Sequence, residues 1–183
     1  MKETYIARRN KLMENKQGPC LVCVFSGAAP MKSLDAAYPF FVDRNFYYLT
    51  GITQEQVHLV LLKDGETYSE RFYIDPYDEH YAKWMGHRLT RAETAAIAGT
   101  TQKSVFYRPE FDSEVAELAK EYGVVYLDLE KGRTVNYNSF GLTMAKTWEN
   151  DGSVETKDVY PAIVALRTSK QKCEVESIRE AVR

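Results

Sequence analysis

The stretch YPFFVDRNFYYLTGI, Tyr38 to Ile52, decides the reading of this chain. Aromatic residues crowd around an Asp43-Arg44-Asn45 triplet, and Gly51 closes the run. The aromatic-rich FYYLTG segment predicts a strand ended at Gly51, with its rings on the core side. Asp43 and Asn45 suit a different task, because short polar side chains bond nearby backbone groups and shape the chain entering an element. Arg44 is the member of the triplet most free to reach outward. The stretch is therefore the wall of a core and, at Arg44, a candidate rim of a site.

Outward from it, elements of both kinds alternate. Upstream, residues 3–16 read as a helix with Tyr5, Ile6, Leu12 and Met13 on one face, and with Arg8, Arg9 and Lys11 toward water. Gly18-Pro19 stops it. CLVCVFSG is a continuous apolar run, the pattern of a strand covered on both faces. Downstream, VHLVLLKDGETYSERFYID is a hairpin turning at Asp64-Gly65. PYDEHYAKWMG starts as a turn and becomes a short helix closed at Gly86. Thr90 and Glu93 form a capping box for a helix ending at Gly99. SVFYR and VVYLDL read as strands on either side of FDSEVAELAKEYG, a helix with an Asp/Ser start and Gly123 beyond its end. The polar-ended stretch GRTVNYNSFGLTMAKTWENDG is helical in its middle. VYPAIVALR reads as extended, with Pro161 at an edge or a strand start. Thr168 and Gln171 suggest a capping box for a last helix that aligns Val175, Ile178 and Val182. These elements predict an α/β fold, a mixed sheet covered by helices. The last helical pattern is still running at Arg183, which fits a chain cut from a longer protein and equally a C-terminal helix that simply frays.

The 183 residues suit one domain and a fragment of a second. Hydrophobic residues make up 44%, enough for a sizeable core. The formal net charge is -2 with both signs interspersed, which argues against nucleic acid or an anionic membrane as partner. No apolar leader is present, and the longest apolar runs fall far below the ~20 residues that span a bilayer. Three cysteines and no Asn-x-Ser/Thr acceptor point to a reducing cytoplasm.

Chemistry is sparse. Cys20 and Cys23 match C-x-x-C, but inside a strand positions i and i+3 face opposite ways, which favours core thiols. DPYDEH, Asp75 to His80, gathers acids and a histidine, yet reads more simply as a strand end turning into a capped helix. His58 alternates with apolar neighbours and is expected to face outward. Nucleophile-elbow, zincin, Walker and dinucleotide fingerprints are absent.

Two segments carry a family resemblance. D-x-x-YPF-x-x-D-x-NFYYLTGI, through Asp35, Tyr38, Pro39, Phe40, Asp43, Asn45, Phe46, Tyr48, Leu49 and Gly51, resembles the N-terminal domain of Xaa-Pro aminopeptidases (aminopeptidase P). KWMGHRLTRAETAAIAG resembles that family's Trp-x-Gly-x-Arg segment through Trp84, Gly86 and Arg88. IVALRTSKQKCEVESIREA is similar to the linker and the first helix of its catalytic domain. The resemblance implies a three-layer, ribonuclease-H-like fold over residues 1–166, with residues 167–183 as linker and opening helix of a C-terminal pita-bread domain. It implies a parent enzyme that removes the N-terminal residue from peptides with proline second, using a dinuclear metal centre, usually manganese. No position here matches a catalytic or metal-ligating residue of the family, so this chain alone is expected to be inactive and to hold no cofactor. The implied partners are the chain's own catalytic domain, further copies in a homodimer or tetramer, and the peptide at the active-site entrance. Tyr38, Asp43, Arg44 and Asn45 are the candidate rim residues. A prolidase- or creatinase-like parent and a stand-alone binding module are the alternatives.

Overall fold

The computed structural model describes residues 2–129, 140–152 and 154–183. Strand β1, Cys20–Phe25, is buried at every residue and lies inside a six-stranded sheet. Its neighbours are β2 (His58–Asp64), antiparallel, and β5 (Val124–Leu127), parallel. Beyond β2 come β3 (Thr67–Ile74), antiparallel, and β4 (Val105–Tyr107), parallel to β3. Beyond β5 lies β6 (Glu155–Asp158), also parallel, so the order is β4-β3-β2-β1-β5-β6.

Side chains of β1 alternate with period two, and each set feeds its own core. Cys20, Val22 and Val24 join the layer built with α1 (Lys2–Glu14), α2 (Arg44–Thr50), α4 (Arg91–Ala98) and α7 (Tyr160–Thr168). Leu21, Cys23 and Phe25 join the layer built with α5 (Phe111–Tyr122) and α6 (Phe140–Asp151). This gives the expected three-layer mixed α/β architecture. The two C-x-x-C sulfurs lie on opposite faces as expected. Burial pushes the Cys23 thiol up to about 12 and raises that of Cys20, so neither is a thiolate at neutral pH.

The hairpin turns at Asp64 with Gly65 at φ +57°, and Thr90 and Glu93 form the expected capping box. Several expectations are corrected. FYYLTG is helix α2, not a strand: Asp43 caps it, and Gly51 closes it at φ +71°. VYPAIVALR is helix α7 with Pro161 in its first turn, where the missing N–H costs nothing. The capping box of α8 (Lys172–Ala181) is Gln171 with Glu174, not Thr168 with Gln171. Helix α5 has no side-chain cap. Arg8 and Arg9 are buried rather than solvated, and His58 is inside the sheet layer rather than outside it. Strand β6 has no apolar signature and escaped the sequence reading. Residues 130–139 of the unplaced polar stretch lie outside the described residues.

Gly51 also lies against α1, and a Cβ there would enter the Tyr5 ring. Gly51→Ala adds a left-handed penalty of about 1–2 kcal/mol to that clash. The expected total loss is about 3 kcal/mol, read from the urea midpoint; a loss below about 1 kcal/mol would contradict the packing described.

Candidate functional site

The opening turn of α2 brings three of the four candidate rim residues together. The Asp43 carboxylate Oδ1 accepts the backbone N–H of Asn45 at 2.8 Å and of Phe46 at 3.0 Å, which sets the first turn. Arg44 then projects outward and Asn45 turns inward, 3% exposed. The Asn45 carboxamide is fully committed. Its Nδ2 donates to Asp128 Oδ2 at 2.8 Å, just past the end of β5, and its Oδ1 accepts from Arg167 Nη1 at 2.6 Å. One amide orientation alone satisfies both a carboxylate and a guanidinium. The relay ties the end of β5, the start of α2 and the last turn of α7.

A second set of polar contacts holds the α7–α8 junction on α1 and α2. Tyr48 Oη donates to the Leu166 carbonyl at 3.1 Å. The Arg8 guanidinium lies 3.9 Å over the Tyr48 ring, donates to the Tyr48 carbonyl at 2.9 Å and pairs with Glu174 at 3.1 Å. Between these contacts lies an open groove of about 390 Å³, lined among others by Asp43, Arg44, Arg167, Lys170 and Glu174. Tyr38 does not line it. That residue is exposed on the loop between β1 and α2, where its N–H donates to the Pro30 carbonyl. Tyr160, Arg167, Lys170 and Glu174 escaped the sequence reading as groove residues: reading α7 as extended hid the face shared by Tyr160 and Arg167, and Lys170 and Glu174 reach the groove only through the α7–α8 junction.

A third network pins the segment after α3 (Glu79–Met85). Arg88, largely buried, pairs with Asp75 at the end of β3 and reaches Glu55 at 3.4 Å. Arg108 Nε donates to the other Asp75 oxygen at 2.6 Å. The Gln54 side chain accepts the Leu89 N–H at 2.6 Å. The Arg of the Trp-x-Gly-x-Arg segment is thus a structural tie, and Trp84 is its presented side chain, 80% exposed. Met31, Leu34, Tyr38 and Phe41 on the β1–α2 loop are exposed as well.

Among the described residues no group of three or more His, Cys, Asp or Glu side chains could hold a metal. The donors present do not fit one: Asp75 is held by two arginines, His87 by Glu93 at 3.0 Å, and His58 by surrounding rings. Among the described residues no helix is long and apolar enough to cross a membrane.

Residues 5–126 match the family described as aminopeptidase P, N-terminal domain. The Xaa-Pro aminopeptidase of Escherichia coli strain K12 is 25% identical over 126 residues, covering 68% of this chain and 28% of that protein. Xaa-Pro aminopeptidase 3 of Dictyostelium discoideum is 36% identical over 82 residues, 44% of this chain and 16% of that one. Among solved structures, a Bacillus anthracis protein assigned as an aminopeptidase P superposes with TM-score 0.90 at 31% identity, over 98% of this chain and 43% of that one. Escherichia coli aminopeptidase P with the inhibitor Pro-Leu superposes with TM-score 0.84 at 21% identity, over 99% and 42%, a likeness of fold. The chain thus spans well under half the length of these relatives.

Proposed function

The chain belongs to the aminopeptidase P N-terminal domain family, and from that premise we propose that it is the non-catalytic domain of a cytosolic proline-specific metallo-aminopeptidase. The parent removes the N-terminal residue from Xaa-Pro peptides. This domain supports a homo-oligomer and borders the active-site entrance. A dinuclear manganese centre in the parent's catalytic domain would supply activated water for attack on the Xaa-Pro bond. The observation that carries the reading is the exposure of Trp84, 80%, on the Trp-x-Gly-x-Arg segment. Phe41, 86% exposed, is a second large apolar side chain left in water, and polar contacts tie down the residues near each. Aromatic side chains displayed in this way suit an interaction surface. The ties are the Asp75–Arg88–Arg108 network behind Trp84 and the Asp43 N–H to Ser26 carbonyl bond, 2.9 Å, behind Phe41.

The test joins this chain to its catalytic half and compares Trp84→Ala with wild type on Xaa-Pro dipeptides and on longer Xaa-Pro peptides. Loss of an aromatic rim contact of about 1 kcal/mol should raise KM for the longer peptides about fivefold, and by less for dipeptides. Identical kinetics at every length, with an unchanged sedimentation profile, would overturn the rim assignment.

A further inference from the structure

The groove at the start of α2 has a charge pattern that the rim reading leaves unused. Three cations line it: Arg44, Arg167 and Lys170. Two carboxylates line it as well, Asp43 and Glu174, and one oxygen of each is already engaged. Asp43 Oδ1 takes the two helix amides, while Glu174 Oε2 takes the Gln171 N–H at 3.0 Å and the Arg8 guanidinium. Each leaves its second oxygen without a hydrogen-bond donor among the described residues. Arg44 has no partner among the described residues, whereas Lys170 donates to the Arg167 and Thr168 carbonyls and Arg167 to Asn45. The site therefore offers cationic donors for an oxyanion beside open carboxylate acceptors for N–H groups. Tyr160 and the exposed Val164 supply apolar wall.

We infer that this groove binds the C-terminal end of a peptide, its carboxylate on Arg44, Arg167 and Lys170 and its backbone N–H groups on Asp43 and Glu174. A bare phosphate fits less well, because it carries more negative charge than one carboxylate and brings no N–H group to the two open carboxylate oxygens. The volume of about 390 Å³ falls in the range of small-ligand sites rather than that of a single ion. Charge-assisted bonds to a planar carboxylate suit the guanidinium forks. The inference concerns this chain by itself and does not depend on the parent's activity.

The experiment is an amide-resolved NMR titration of the 183-residue chain with acetyl-triglycine, with its C-terminal amide, and with inorganic phosphate. The free acid is expected to give saturable shifts, with Kd on the order of 1 mM, at the amides of Arg44, Asn45, Thr168 and Lys170. The amide should bind at least about fivefold more weakly, each exposed charge contact contributing a factor of a few. Arg44→Gln, an exposed site with no described partner to lose, should weaken the acid about threefold and leave the amide unchanged. Equal binding of acid and amide, or shifts that avoid these four residues, would overturn the inference. Tighter binding of phosphate than of the peptide would make the groove a plain anion patch and overturn it too.

Discussion

Arg9→Met is expected to cost about 4 kcal/mol of stability, the scale of breaking a buried ion pair. Arg9 is 1% exposed, and its guanidinium is held by three elements at once. Nε and Nη2 grip the Glu70 carboxylate of β3 at 2.6 and 3.1 Å. Nη1 donates to the Leu49 carbonyl at 2.9 Å, in the last turn of α2, and Nη2 to the Ala98 carbonyl at 3.0 Å, at the end of α4. Helix ends leave carbonyls without intrahelical donors, and a buried one costs free energy when unpaired. Arg9 therefore acts as a shared C-terminal cap for two helices while neutralising a sheet carboxylate. Methionine keeps the apolar stem but strands one carboxylate and two carbonyls. Lysine keeps the charge but not the fork, so Arg9→Lys should recover only part of the loss. With a urea slope of about 2 kcal/mol/M, the Arg9→Met midpoint should fall by roughly 2 M. A fall under about 0.5 M would mean that the three contacts contribute little in solution.

That arginine also shows where sequence reading stops. Arg8 and Arg9 fall at helical spacing with Tyr5, Leu12 and Met13, on the face that α1 buries, and only their charge points to water. Their burial is decided by carbonyls more than thirty residues away. The doubly covered β1, the hairpin and the α4 capping box were legible because each is written in local residues. Helix α2 misled because its seven residues are too few to show a 3.6 period, while Phe46, Tyr47 and Tyr48 favour strands. Its true signals were the pair of stops, Asp43 before and Gly51 after. Helix α7 misled through Pro161, which suits a first helical turn as well as a strand edge. The reading of Asp43 as a chain-shaping residue holds, although the element it shapes is a helix, and the same reading of Asn45 is corrected. Asp43 works through backbone bonds as expected, whereas Asn45 works through side chains. Nothing near Asn45 in sequence announces Asp128 or Arg167, so the groove emerges only once α7 is folded.

His58 should make the domain markedly less stable in acid. It opens β2 opposite Phe25 and Tyr73, and it is 6% exposed. The rings of Phe25, Phe111 and Phe140 lie 5.0, 4.5 and 4.8 Å from its own, and Nδ1 has no hydrogen-bond partner among the described residues. Burial pushes its pKa down to about 3; nearby Arg108 adds to the shift and Asp75 opposes it. Above pH ~6.5 the imidazole is neutral in both the folded and unfolded chain and contributes no pH dependence. Below that pH the unfolded chain takes up a proton that the folded chain refuses, so stability falls by about 1.4 kcal/mol per pH unit until the folded group also titrates. Across the whole window the loss approaches 5 kcal/mol, of the same order as the stability of an ordinary domain. His58→Leu removes the titration while keeping an apolar side chain of similar size. Carboxylates titrate in both proteins, so the difference between the two pH profiles isolates the imidazole. Between pH 7.5 and 4.5, urea unfolding should show the variant gaining about 2.7 kcal/mol relative to wild type. Parallel profiles would mean that the imidazole keeps access to water or to a proton acceptor, and that the aromatic box opens in solution.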